Sequence, residues 1–179
     1  MSILKKPLPV KLFFSIFAGS EEAINKVIKE LEVVYGIIDI TSAFMPFDET
    51  NYYEGEFGKG LIRKLIFFER LISPEEIVKV KKHAIDIEKK YTFGEKRLVN
   101  IDPGYISLSR VVLSTGKDYT HRIYLGEGVY ADLTYIYKKK EGYVNLPWTY
   151  PDYAKSDMKY FFEQARKLLK EQLKGNKYE

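Results

Sequence analysis

Residues 61–91, LIRKLIFFERLISPEEIVKVKKHAIDIEKKY, change period in the middle, and that change sets the fold. Up to Ile72 the stretch is rich in aliphatic and aromatic residues, which predicts a third strand over 61–72. Ser73-Pro74-Glu75-Glu76 then stops it with a serine N-cap, a proline at the first helical position and a glutamate that closes a capping box. Ile77, Val80, Ala84, Ile87 and Tyr91 follow at helical spacing, which predicts a helix to about Tyr91.

The same switch occurs upstream. Residues 11–18 (KLFFSIFA) read as a buried strand, and Ser20 caps a helix with Glu21 and Glu22 in its first turn. Ile24, Val27, Ile28 and Leu31 form its apolar stripe, and Gly36 ends it. Residues 37–45 (IIDITSAFM) return to strand character, residues 46–60 are a polar glycine-bearing loop, and residues 97–101 (RLVNI) make a fourth strand. The order β-α-β-β-α-β predicts an α+β protein. Its ferredoxin-like core would span residues 1–103, with both helices on one face of an antiparallel sheet.

Residues 104–179 read as an extension of one domain covering 1–179. Residues 105–114 fit neither period, while 121–125 and 129–137 flank Gly126-Glu127-Gly128 as an added β-hairpin. A C-terminal amphipathic helix starts near Asp152–Ser156, with Met158, Phe162, Ala165, Leu169 and Leu173 among its apolar positions.

Composition narrows the function classes. The 179 residues are 45% hydrophobic, enough for a core, and 29 Lys and Arg against 25 Asp and Glu leave +4. That mild excess argues against a duplex DNA partner, which calls for a dense basic face. With no cysteine there is no disulfide, thiolate metal site or cysteine nucleophile. The apolar run Leu12–Ala18 is too short to span a bilayer, and the prolines before it spoil a secretion signal, so no membrane partner and a cytoplasmic protein are expected.

Chemistry-bearing motifs are sparse. Ser114-Thr115-Gly116-Lys117 resembles a phosphate loop, but Val111 stands where the first glycine belongs. The two histidines have no metal-ligand spacing, and His83 reads as a solvated residue on a helix flank. His121 and Arg122 start a strand, which would point them to opposite faces. An RNA-binding module remains an alternative to a small-molecule site. However, Leu61 and Arg63 occupy the third-strand positions where stacking aromatics would lie. The 46–60 loop carries Tyr52, Glu54 and Glu56, with its two carboxylates spaced to share one side of an extended chain. Asn100-Ile101-Asp102-Pro103-Gly104 forms a second polar knot, which reads equally as a turn.

Three separated stretches carry a family resemblance: Asn100–Tyr105 (NIDPGY), His121–Leu125 (HRIYL) and Trp148–Tyr153 (WTYPDY). Thr50, Tyr52, Glu54, Glu56, Gly58, Leu61 and Arg63 add a fourth, with Phe57 where methionine is expected. Together they resemble a bacterial family described as domain of unknown function 4416. The resemblance implies a complete single-domain protein of this length and carries over no activity.

The motif residues mix cations, carboxylates and aromatics, which suits an anionic, partly aromatic ligand such as a nucleotide or phosphorylated metabolite. Arg63, Lys117 and Arg122 would hold the anion, and Tyr52 or Trp148 would stack. Glu54, Asp102 or His121 would serve as acid or base, or the carboxylates would hold Mg²⁺. Glu56, Asn100 and Asp152 complete the candidate set, which leaves enzyme and non-enzyme both open. In the expected topology strand four ends at the far end of the sheet from the 46–60 loop, so Asn100 and Asp102 are expected away from Glu54 and Glu56. A protein-interaction domain is the third reading.

Overall fold

The computed structural model describes residues 3–47, 57, 60–94 and 96–175. At its centre lies β1 (Val10–Ala18), every residue of which is buried. It pairs antiparallel with β4 (Ile62–Ile72) on one side and β7 (Val99–Ile106) on the other. β2 (Ile38–Thr41) joins the far edge of β4, which also pairs with the two-residue β3 (Met45–Pro46). The strand order β7-β1-β4-β2 continues past β7 through β8 (Arg110–Thr115), β10 (Val129–Lys138) and β11 (Gly142–Asn145). Among the described residues β9 (Arg122–Gly126) pairs only with β10, and β5 (Thr92–Phe93) and β6 (Lys96–Arg97) form a separate small ribbon. The protein is thus α+β with an antiparallel main sheet.

Helices cover both faces. α1 (Glu21–Tyr35) is capped as read, with Ser20 Oγ accepting from the Ala23 N–H at 3.3 Å, and it ends where Gly36 adopts φ +93°. α2 (Ile77–Lys90) follows a single 3-10 turn at Pro74–Glu76, and the Ser73 N–H donates to Glu76 at 2.7 Å. Both helices bury their stripes against Leu12, Phe14, Ile16, Ile66, Phe68 and Ile101.

α3 (Ser156–Gly175) lies across the opposite face. Its Met158, Phe162, Ala165 and Leu169 pack on Phe13, Leu65, Phe67 and Ile106, with Tyr135 beside them. Phe162 meets Phe13 edge to face at 4.9 Å between ring centroids. At the far end of the helix the wholly buried Lys11 donates to the Asp39 carboxylate, to Phe68 O at 2.9 Å and to Gln172 Oε1 at 3.3 Å. Burial pulls its pKa below the usual lysine value against the opposing pull of Asp39.

Two expectations need correction. The fourth strand is longer than 97–101: it runs through Asp102-Pro103-Gly104 to Ile106, so the knot is strand and not turn. Gly104 is required there, because a Cβ would come within 2.5 Å of the Phe13 ring and of Val112 O. His83 is not simply solvated, since its Nδ1 meets the Tyr35 hydroxyl at 2.9 Å.

Candidate functional site

The register of the three central strands gathers residues that are far apart in sequence. Arg63, Phe17 and Asn100 form one cross-strand row, and Leu65, Ser15 and Asp102 the next. Directly opposed residues of antiparallel strands share a face. Here it is the face that α3 covers further along, where Phe13 and Phe67 form the next row.

Because β7 starts at Val99, Asn100 and Asp102 open the strand instead of closing it. They therefore lie at the Arg63 end, where Met45 also pairs with Arg63, while the expected separation of this knot from Glu54 and Glu56 falls on residues outside the described ones. Tyr52, Glu54 and Glu56 lie outside the described residues.

At this end the sheet is covered by the chain leading into α3. Asp152 accepts a hydrogen bond from Arg63 Nη1. The guanidinium lies 4.1 Å from the Phe47 ring centroid and 5.4 Å from that of Tyr153, in cation–π range of both. Beneath them are three buried polar atoms without a protein hydrogen-bond partner among the described residues: Ser15 Oγ, Arg63 Nε and Tyr153 OH. Burial, with Asp102 and Asp152 nearby, pushes the Tyr153 phenol well above its usual range, opposed by Arg63 and by the facing Ser15 side chain.

The outer edge of β7 is free before β8 joins at Gly104, and α2 satisfies it with side chains. The Ile101 N–H donates to Glu88 Oε1 at 2.6 Å, and Lys81 Nζ donates to Ile101 O at 3.3 Å and Asp102 Oδ1 at 3.5 Å. Arg97 Nη1 bridges Glu88 Oε2 at 3.3 Å and Asn100 Oδ1 at 3.1 Å, and Asn100 Nδ2 donates to Asp102 Oδ2 at 2.7 Å. Burial raises the Glu88 pKa although Lys81, the Ile101 N–H and Arg97 all favour its charge. Of this network, the Asp102 and Arg97 side chains are the open ones, at 35% and 32% exposure, against 9% for Lys81.

The neighbouring hairpin adds a second cluster around the buried Asp132. Arg122 Nε donates to Asp132 Oδ2 at 2.9 Å, Nη1 to Lys117 O at 3.1 Å and Nη2 to the Tyr150 hydroxyl at 2.6 Å. His121 Nε2 meets the same carboxylate oxygen at 3.2 Å. The expected division of His121 and Arg122 between opposite faces fails because His121 precedes β9. It lies in a turn closed by the Arg122 N–H on Tyr119 O. The His121 ring stacks between Tyr119 and Trp148, and Trp148 is fixed by its indole N–H on Leu133 O at 2.8 Å. Tyr150 links the two clusters: it receives from Arg122, and the charges of Asp132 and Asp102 both act on it while burial raises its pKa.

Of the candidates, Arg63, Asn100, Asp102 and Asp152 therefore share one cluster, and His121, Arg122, Trp148 and the Lys117 carbonyl share the adjoining one. Sequence reading missed Ser15, Lys81, Glu88, Arg97, Asp132, Tyr150 and Tyr153. A usable signal existed for two of them: Lys81 and Glu88 are seven residues apart, hence on one flank of α2 beside its apolar stripe. Among the described residues no three His, Asp or Glu are grouped to hold a metal. Asp102 and Asp152 are engaged by Lys81 and Arg63, which does not make a Mg²⁺ cage. A groove of about 780 Å³ runs along the first turns of α3 between Met45, Tyr143 and Phe161, and none of the described candidates lines it. Among the described residues no helix is long and apolar enough to cross a membrane.

The fold and the two clusters define an α+β protein with a layered antiparallel sheet and a polar site at one sheet end. Residues 8–169 match the model of a domain of unknown function, DUF4416, and the chain belongs to that family. No curated protein and no solved structure matches it.

Proposed function

We propose that this protein binds a nucleotide or another phosphorylated small molecule at the Arg63 end of the sheet. One observation carries the reading: three buried polar atoms that complete no hydrogen bond among the described residues, Arg63 Nε and the facing hydroxyls Ser15 Oγ and Tyr153 OH, lie together where separated motifs meet. Unpaired buried polar groups are costly, and they persist where a ligand completes them. The anion falls to Arg63 and Lys81, because the Nε, Nη1 and Nη2 donors of Arg122 are spent on Asp132, Lys117 O and Tyr150. A planar ring of the ligand stacks on the exposed side of Trp148, and Asp102 is the accessible acid or base if a reaction follows. Mg²⁺ would arrive with the ligand's phosphates.

We take the β7-β1-β4-β2 unit with α1 and α2 as a ferredoxin-like core, which the strand order and the shared helical face support. The RNA alternative needs an open sheet face, and α3 fills that face over Phe13 and Phe67.

A thermal-shift screen of nucleotides and phosphorylated metabolites, each with and without Mg²⁺, tests the reading, since a ligand selective for the folded state raises the Tm. The expected result is a concentration-dependent shift that Lys81→Met and Trp148→Ala both weaken. A flat screen, or a shift indifferent to both substitutions, overturns it.

A further inference from the structure

We propose that β9 is the contact strand of a symmetric dimer, pairing antiparallel with β9 of a second copy about a two-fold axis at Tyr124. Edge strands of soluble proteins are normally blunted by lysine, proline, an inward charge or a covering element. The opposite edge obeys this rule: β2 has only four residues and carries Asp39 inward onto Lys11. β9 does not. Its outer side pairs with no strand among the described residues, and its middle residues are Ile123, Tyr124 and Leu125, exposed by 71%, 58% and 40%.

The sequence around Tyr124 is self-complementary. A two-fold at that residue places Ile123 against Leu125 of the second copy on one sheet face, and Tyr124 against its own equivalent on the other. One step further out Arg122, turned inward onto Asp132, lies opposite a glycine, Gly126, so no like charges oppose each other within the strand. A slip of one residue sends the side chains of one strand to the wrong face and loses the apolar pair. The exposed rings of Tyr119 and Tyr150 border the start of the same strand, and they widen the contact beyond the strand itself.

The test uses the whole chain. Light scattering after size exclusion should give twice the 20.9 kDa monomer mass, and Ile123→Lys should return the monomer with unchanged circular dichroism. The absence of native cysteine gives a second readout that does not depend on Ile123→Lys folding. Tyr124→Cys places the two thiols of the dimer opposite each other within disulfide reach and should cross-link on mild oxidation, whereas Leu125→Cys should not. A monomer at every concentration overturns the proposal, as does a dimer that survives Ile123→Lys and leaves Tyr124→Cys uncross-linked.

Discussion

β1 shows two interiors in one strand. Toward α1 and α2 it presents Val10, Leu12, Phe14, Ile16 and Ala18, all apolar and all packed in one cluster. Toward α3 it presents Lys11, Phe13, Ser15 and Phe17, polar alternating with aromatic, and every one of them is also buried. The first face needs only volume and shape. The second face must give each buried polar group a partner, and it does so unevenly. Lys11 has three acceptors, whereas Ser15 Oγ only faces the Tyr153 hydroxyl and completes no hydrogen bond among the described residues. Uneven completion on one face separates the end where a buried charge locks a helix down from the end we assign to a ligand.

The largest expected effects test whether the two faces are mechanically equal. Phe14→Ala and Phe162→Ala each remove a fully buried ring, one on each side of the sheet. Each should cost about 3–5 kcal/mol in urea unfolding. A markedly smaller loss for Phe162→Ala would break the comparison, because it would mean α3 is a loosely held cover and not a third layer.

Gly104→Ala acts on the α3 face alone and should cost about 1–3 kcal/mol, since the new methyl meets the Phe13 ring and the Val112 carbonyl. The same position explains what the sequence could and could not reveal. Periodicity and caps made α1, α2 and α3 legible, because each helix buries a stripe that needs no knowledge of its neighbours. Asp102-Pro103-Gly104 read as a turn because proline and glycine usually punctuate. Pro103 is tolerated in the strand for a local reason. It shares the parity of Ile101, whose N–H points out to Glu88, so the missing proline N–H falls on the outer edge before β8 pairs. Glycine is there to admit Phe13. Both reasons lie in partners distant in sequence, and so do the partners of Lys81, Glu88 and Asp132.

Glu88→Gln sharpens the comparison through pH. Its folded pKa is raised above the ordinary 4.5, mainly by burial, so between 4.5 and that raised value the folded state holds the proton more than the unfolded state does. Stability therefore falls as pH rises through that window, and the cost is fully present above it. The glutamine variant keeps a carbonyl acceptor for the Ile101 N–H without carrying the charge. Its Tm relative to wild type should rise from pH 4 to pH 7, as followed by circular dichroism melts. A constant difference across that range would mean Glu88 titrates normally and that its network with Lys81 and Arg97 fully offsets its burial.

Ser15→Ala is the smallest expected change in stability and the most informative. A buried hydroxyl without a partner costs desolvation and returns no hydrogen bond, so its removal should leave unfolding free energy unchanged or slightly raised. Ser114→Ala is the matched control: that hydroxyl is equally buried but donates to Pro103 O at 2.8 Å, and losing it should cost about 1 kcal/mol. If the site is read correctly, Ser15→Ala should still weaken ligand binding several-fold in the thermal-shift assay, so that stability and binding move in opposite directions as they do at functional positions. A stability loss as large as that of Ser114→Ala would show that the Ser15 hydroxyl is already hydrogen-bonded in the folded protein. It would then belong with Lys11, among the completed groups of this face, and the ligand site would have to rest on Lys81, Asp102 and Arg63 without it.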